Sequence, residues 1–264
     1  MKNQIWHWNG RFLTKSPKEV LGTLLKDDKA NYYKAEAELS STIELLDRAI
    51  ALYIEALQGA YRMLDDWKSR LNLRAAMAMA GSALNYILLA RHSILLGYYP
   101  EARDLLRGCH ERITRCYLFH VDNEATKRFF SGKQILQKEV DDRLAELFEH
   151  DENKKDIYDR LRKSYKSSSA VIHPNLKSLR LRTLPPEEGA NFKECVGIHT
   201  TLGGVTASNF GETVILSIIS TVLFALKVIG AVVVEGTGKW KDDFSRIEEE
   251  ANKLLEKLKA EKTE

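Results

Sequence analysis

Apolar residues recur at helical spacing over most of the chain. From about Tyr32 to Ser69, Leu39, Ile43, Leu46, Ile50, Ile54, Leu57, Tyr61 and Leu64 follow one another at steps of three and four. That spacing predicts one long amphipathic helix, reaching about 55 Å at the helical rise per residue. Asn72 to Gly97 predicts the next helix, small-faced in its first half through Ala75, Ala76, Ala78, Ala80, Gly81 and Ala83. A neighbouring helix can approach such a face closely. Gly97 stops this helix, and Pro100 opens a third, about Glu101 to Val121, at a position where its missing N–H costs little. Asn123 is expected to N-cap a short helix that stops near Gly132. Ile135, Val140, Leu144, Leu147 and Phe148 mark a fifth helix. Ile157, Leu161 and Tyr165 mark a sixth, which ends before His173-Pro174 because the residue preceding proline is biased out of the helical region.

The pattern then changes. Between Asn175 and Gly211, Pro185, Pro186, Gly189, Gly197, Gly203 and Gly204 interrupt every run, which predicts a loop or a small hairpin. Thr213 to Val234 is nearly unbroken apolar sequence, long enough to span a bilayer. Ser217, Ser220 and Thr221 dilute it, and Lys227 lies well inside, where lipid makes a charge costly. The expectation is a buried core helix, apolar all round. From Lys239 onward the chain predicts a charged amphipathic helix with Ile247, Ala251, Leu254, Leu255 and Leu258 as its stripe. Together these elements predict an all-α, antiparallel multi-helix bundle. Its expected divisions are an N-terminal segment 1–30, a helical-bundle domain 31–235 and a C-terminal helix 236–264.

A chain of 264 residues buries roughly 70–75% of its unfolded surface and folds without disulfides or metal. Its three cysteines, Cys109, Cys116 and Cys195, have no paired spacing, which points to a reducing compartment. The first residues hold Trp6, His7, Trp8 and Arg11 and no apolar core of a signal peptide. A cytoplasmic protein with no membrane partner is the expectation. The net charge of +3 specifies no partner by itself, so the distribution of charge carries the information.

Two stretches carry candidate chemistry. Arg115 and His120 offer an acid–base imidazole and a phosphate-stabilising guanidinium, the minimum for metal-independent RNA cleavage. In a continuous helix the two point roughly 140° apart, so they converge only where the helix loosens near Asp122 or across a dimer. The second stretch runs from Arg162 to Asn175. His173 stands at its end, with Arg162, Lys163, Lys166, Lys177 and Arg180 around it. A local positive excess beside a histidine suits RNA or another phosphate ligand; a helix stop with a solvated basic face has the same pattern. Arg103, Arg107, Glu111 and Arg115 lie four apart on the third helix and predict a polar ladder. Cys109, His110, Cys116 and His120 lack zinc spacing. No phosphate loop or nucleophile elbow is present, and no cofactor or metal is expected.

The run from Ala102 to Glu111 (ARDLLRGCHE), followed by Tyr165 to Pro174 (YKSSSAVIHP), resembles prokaryotic helical families of unknown function grouped with the HEPN superfamily. The resemblance covers roughly Asn72 to Asn175. It implies an antiparallel bundle that dimerises and an association with defence or toxin–antitoxin systems. In catalytic members it implies metal-independent endoribonuclease activity from an Arg shortly before a His. His173 has no Arg at that spacing, since Arg162 is too far. Arg115 and His120 have the spacing, but Cys116 follows the Arg where a polar residue is usual. Either Arg115–His120 is the active pair, or the pair is lost and the bundle serves as an oligomeric binding module.

Overall fold

A computed structural model describes residues 17–62, 71–149, 205–233 and 238–260, together with Lys155, Tyr158, Asp159, Arg162 and Tyr165. Its eight described helices are α1 (Pro17–Glu38), α2 (Ser40–Arg62), α3 (Leu71–Leu95), α4 (Tyr99–Val121), α5 (Asn123–Phe130), α6 (Gln137–Phe148), α7 (Val205–Val233) and α8 (Gly238–Ala260). Among the described residues there is no strand, and the expected all-α bundle is what forms.

The single long first helix of the sequence reading is instead two helices meeting at a bend on Leu39. The hydrogen-bond ladder crosses that bend: Leu39 N donates to Ala35 O at 2.9 Å, and Ile43 N donates to Leu39 O at 2.8 Å. The pair Ser40-Ser41 follows at once, the kind of sequence at which helices bend. Residues 63–69 of the expected helix lie outside the described residues. The helical start at Pro17 puts the expected division at residue 30 inside α1.

α3 and α4 form the tightest pair. Ala75, Ala76, Ala80 and Ala83 are fully buried on α3, so the small face does bring a neighbour close. Gly97 makes the turn possible with a φ of 83°, a value that glycine adopts without steric cost. Its N–H donates to Ile94 O at 2.9 Å and Tyr98 N donates to Ser93 O at 2.8 Å, the double bond of a Schellman stop. Three residues then separate the helices, which forces them antiparallel.

α5 is capped by Asp122 rather than the expected Asn123. The Asp122 carboxylate accepts from Glu124 N at 2.9 Å and Ala125 N at 3.0 Å. Carboxylate acceptance at the first free amides is what stabilises a helix start. A smaller core beneath α5 and α6 gathers Leu118, Phe119, Val140, Leu144, Phe148 and Tyr158.

α7 is the core helix that the apolar run predicts, and it contacts α2, α3, α4 and α8. Ile215, Ile218, Ile219, Val222 and Leu226 are fully buried, each removing about 1.5–3 kcal/mol of apolar exposure relative to solvent. It begins at Val205, earlier than the expected Thr213. The broken sequence before Gly211 is therefore helical from Val205, while 175–204 lies outside the described residues. Gly211 is needed where it stands: a Cβ there would lie 3.1 Å from both Leu39 Cδ1 and Tyr99 Cε1. α8 lays Phe244, Ile247, Ala251 and Leu258 on the main core, whereas Leu255, expected on that stripe, is 40% exposed. Two ion pairs pin α8 down, Arg48 to Glu250 and Lys227 to Glu248 at 2.8 Å. Lys227 also lies 5.2 Å over the Phe244 ring.

Candidate functional site

A polar cleft of about 240 Å³ opens between α4, α6 and the helical residues Tyr158, Arg162 and Tyr165. Each wall contributes a pair of residues four apart. His110 and Thr114 come from α4, Gln137 and Asp141 from α6, and Tyr158 and Arg162 from the third wall. Residues at that spacing share one helix face, so each helix presents a two-residue polar edge to the cleft.

A chain of hydrogen bonds fixes the floor. The Thr114 hydroxyl donates to His110 O at 3.0 Å and accepts from Gln137 Nε2 at 3.1 Å. The same amide donates to Asp141 Oδ1 at 3.0 Å. Tyr158 donates its hydroxyl to the Asp141 backbone oxygen at 2.8 Å. Gln137 Oε1 is buried without a hydrogen-bond partner among the described residues. Below the floor, His110 Nε2 lies 3.3 Å from Thr221 Oγ1. That hydroxyl donates to Ser217 O at 2.8 Å, so Nε2 carries the imidazole proton.

Burial governs the electrostatics. His110 is 2% exposed, and desolvation pushes its pKa down to about 4, leaving a neutral imidazole at physiological pH. Desolvation raises Asp141, against the opposing pull of the Gln137 hydrogen bond and the Arg162 charge. Tyr158 is also raised, chiefly by burial.

At the upper side of the cleft stands the ladder that the four-residue spacing on α4 predicts. Glu111 accepts from Arg107 Nε at 3.1 Å, and Arg115 Nη1 approaches its carboxylate to 3.9 Å. Tyr165 donates its hydroxyl to the same carboxylate at 3.2 Å, and the Arg107 guanidinium lies 5.4 Å over the Tyr165 ring. Arg115 is further tied to Glu111 O at 3.0 Å and to Ile135 O at 3.3 Å. Burial lowers its pKa. Arg162 is exposed at the mouth and forms no ion pair among the described residues.

Of the residues singled out by sequence, Arg162 lines the cleft and Arg115 braces its edge. His120 is half-buried beside Tyr117, ring centroids 6.4 Å apart, and burial lowers its pKa. α4 runs unbroken through both Arg115 and His120, and Asp122 N still donates to Leu118 O at 2.8 Å. Within one chain the two side chains therefore leave the helix about 140° apart. Lys163, Lys166, His173, Lys177 and Arg180 lie outside the described residues. Cys109 and Cys116 are buried free thiols, both pushed up to about 12 by desolvation. No cluster of metal-ligating side chains occurs among the described residues. Sequence reasoning missed Gln137, Asp141 and Tyr158, and it weighed His110 only as a zinc ligand. The signal available was the repeated four-residue spacing of polar pairs.

The fold and this cleft define an all-helical bundle with a laterally opening polar notch. Searches of protein-family models, of curated proteins and of solved structures give no match for this chain.

Proposed function

We propose that the protein is a cytoplasmic, HEPN-like helical bundle directed at RNA, which it holds by the phosphate backbone across the arginine side of the cleft. The observation that carries this reading is the charge around Glu111. Arg107 and Arg115 share that one carboxylate, and Arg162 stands exposed at the mouth outside any described ion pair. Guanidinium groups fixed on rigid helices, in excess over carboxylates, suit phosphate oxygens. Lys163, Lys166, Lys177 and Arg180 extend the same charge in sequence beyond Arg162. The cytoplasmic part of the reading is supported by α7. That helix is apolar enough to cross a membrane, yet its most apolar window is 67% buried inside the bundle. Lys227 on it pairs with Glu248.

Metal-independent cleavage, with Arg115 and His120 as the reacting pair, requires two copies of the chain, because one continuous helix turns them apart. A dimer that binds without turnover is the second reading. It is favoured by the outer face of α3, where Leu88 is 42% and Leu89 52% exposed.

The test is filter retention of mixed cellular RNA in EDTA, with gel analysis of the products, for wild type, Arg162→Ala and His120→Ala proteins. Retention by the wild type, weakened by Arg162→Ala, is expected. Fragments that vanish with His120→Ala assign cleavage to the α4 pair. Retention by none of the three proteins refutes the reading.

A further inference from the structure

The floor of the cleft offers acceptors and almost no donors. Every hydroxyl lining it is already committed: Tyr158 to Asp141 O, Tyr165 to Glu111 and Thr114 to His110 O. Both hydrogens of the Gln137 amide are used, one toward Thr114 and one toward Asp141. What is left over is the Gln137 carbonyl oxygen, buried and unpartnered among the described residues, and the carboxylate of Asp141 beside it. A buried acceptor left unmatched costs free energy that a donor restores. The free space at the floor fits one water-sized group, not a ring.

We propose that this notch takes the exocyclic amino group of an unpaired nucleobase, so that the protein prefers single-stranded RNA bearing cytosine, adenine or guanine over uracil. The inference rests on the RNA reading above and names the part of the strand that the cleft selects. An amino group presents two hydrogens in one plane, one for Gln137 Oε1 and one for the Asp141 carboxylate. A neutral amine suits the position better than an ammonium, because Arg162 and Arg115 already place positive charge around it. The O4 carbonyl of uracil presents lone pairs to lone pairs at the same place. The base ring remains at the mouth, where Tyr165 and the exposed Arg162 guanidinium provide flat faces for stacking. Its phosphates then reach the arginine side.

Cytosine and uracil are the matched pair for the test, since they differ at the amino-bearing edge and share a ring size. Fluorescence anisotropy with oligocytidylate and oligouridylate of equal length, at fixed salt and neutral pH, reads the preference on the unmodified protein. Oligocytidylate is expected to bind on the order of tenfold more tightly, the worth of one or two neutral hydrogen bonds. In Gln137→Met, checked for native helicity by circular dichroism, the two oligomers are expected to bind alike while oligouridylate affinity stays within twofold of wild type. Equal affinities in the wild type overturn the inference, leave a water as the occupant of the notch, and leave the RNA reading standing. Binding of neither oligomer overturns the reading and the inference together. A preference that survives Gln137→Met overturns the placement at this notch.

Discussion

Gly108 sits inside α4 with the Tyr86 ring of α3 laid directly on it. A Cβ at that position would come within 2.2 Å of Tyr86 Cε1 and 2.5 Å of Cδ1. The ring cannot simply lift away. Its other side carries the Arg112 guanidinium, 3.9 Å from the centroid. Arg112 is held there by bonds to Ser82 Oγ at 2.7 Å and to Gly108 O at 2.9 Å. Helix propensity alone says that Gly108→Ala stabilises by up to about 1 kcal/mol. Packing says the reverse: forcing a methyl into an occupied interface costs about 1–3 kcal/mol, and displacing the stacked arginine adds about 0.5–1 kcal/mol. Packing wins, with a net loss of about 1–2 kcal/mol. For a chain of this size that lowers Tm by about 2–8 °C. The control is Gly59→Ala on α2, where an added Cβ meets nothing within 4 Å and the gain of about 0.5–1 kcal/mol is expected unopposed. Differential scanning fluorimetry reads both variants. In a Tyr86→Ala background Gly108→Ala should turn neutral or stabilising, a coupling that a double-mutant cycle isolates. A Gly108→Ala protein that melts above the wild type refutes the close packing of α3 on α4.

Burial of His110 predicts an acid-sensitive fold. Its folded pKa of about 4 lies below the unfolded 6.5, so the unfolded chain takes the proton first. Its contribution is complete above about pH 6.5 and is lost as the pH falls toward 4. Denaturant titrations should show a loss of about 2 kcal/mol between pH 6.5 and 5, and His110→Gln should remove most of that slope. His120 acts in the same direction, while Asp141, raised by burial, favours the folded state on the acid side. Tyr53→Phe deletes a buried hydroxyl that donates to Ala80 O at 2.9 Å, and a loss of about 1 kcal/mol without change in denaturant m-value is expected. The Arg48–Glu250 pair is nearly half exposed on both sides, so Arg48→Met should cost less than about 1 kcal/mol and less still in high salt.

Local chemistry made the α3–α4 hairpin legible in advance. Gly97 and Pro100 fix where one helix stops and the next begins, and the alanines on α3 announce the close contact. The apolar run around Ile218 and Val222 likewise reads as a core helix. The bend at Leu39 was hidden because the apolar stripe continues through it at unchanged spacing. The early start of α7 was hidden because Gly203, Gly204 and Gly211 read as breakers, whereas Gly211 serves packing against Leu39 and Tyr99. The cleft was half legible. His110 with Thr114, Gln137 with Asp141, and Tyr158 with Arg162 each show the four-residue spacing of a shared face. That the three faces meet is a long-range fact of packing, carried by the small core around Phe119, Val140 and Phe148, and no local pattern encodes it.

The most direct test of the account is the salt dependence of single-stranded RNA binding, compared between wild type and Arg162→Ala by anisotropy across a range of potassium chloride concentrations. Each phosphate contact contributes about 0.7 to the slope of log affinity against log salt for a single strand. The account predicts salt-sensitive binding by the wild type and a slope reduced by about that amount in Arg162→Ala. Binding that is absent, or whose slope is unchanged by the substitution, contradicts the placement of the RNA backbone on the arginine side of the cleft.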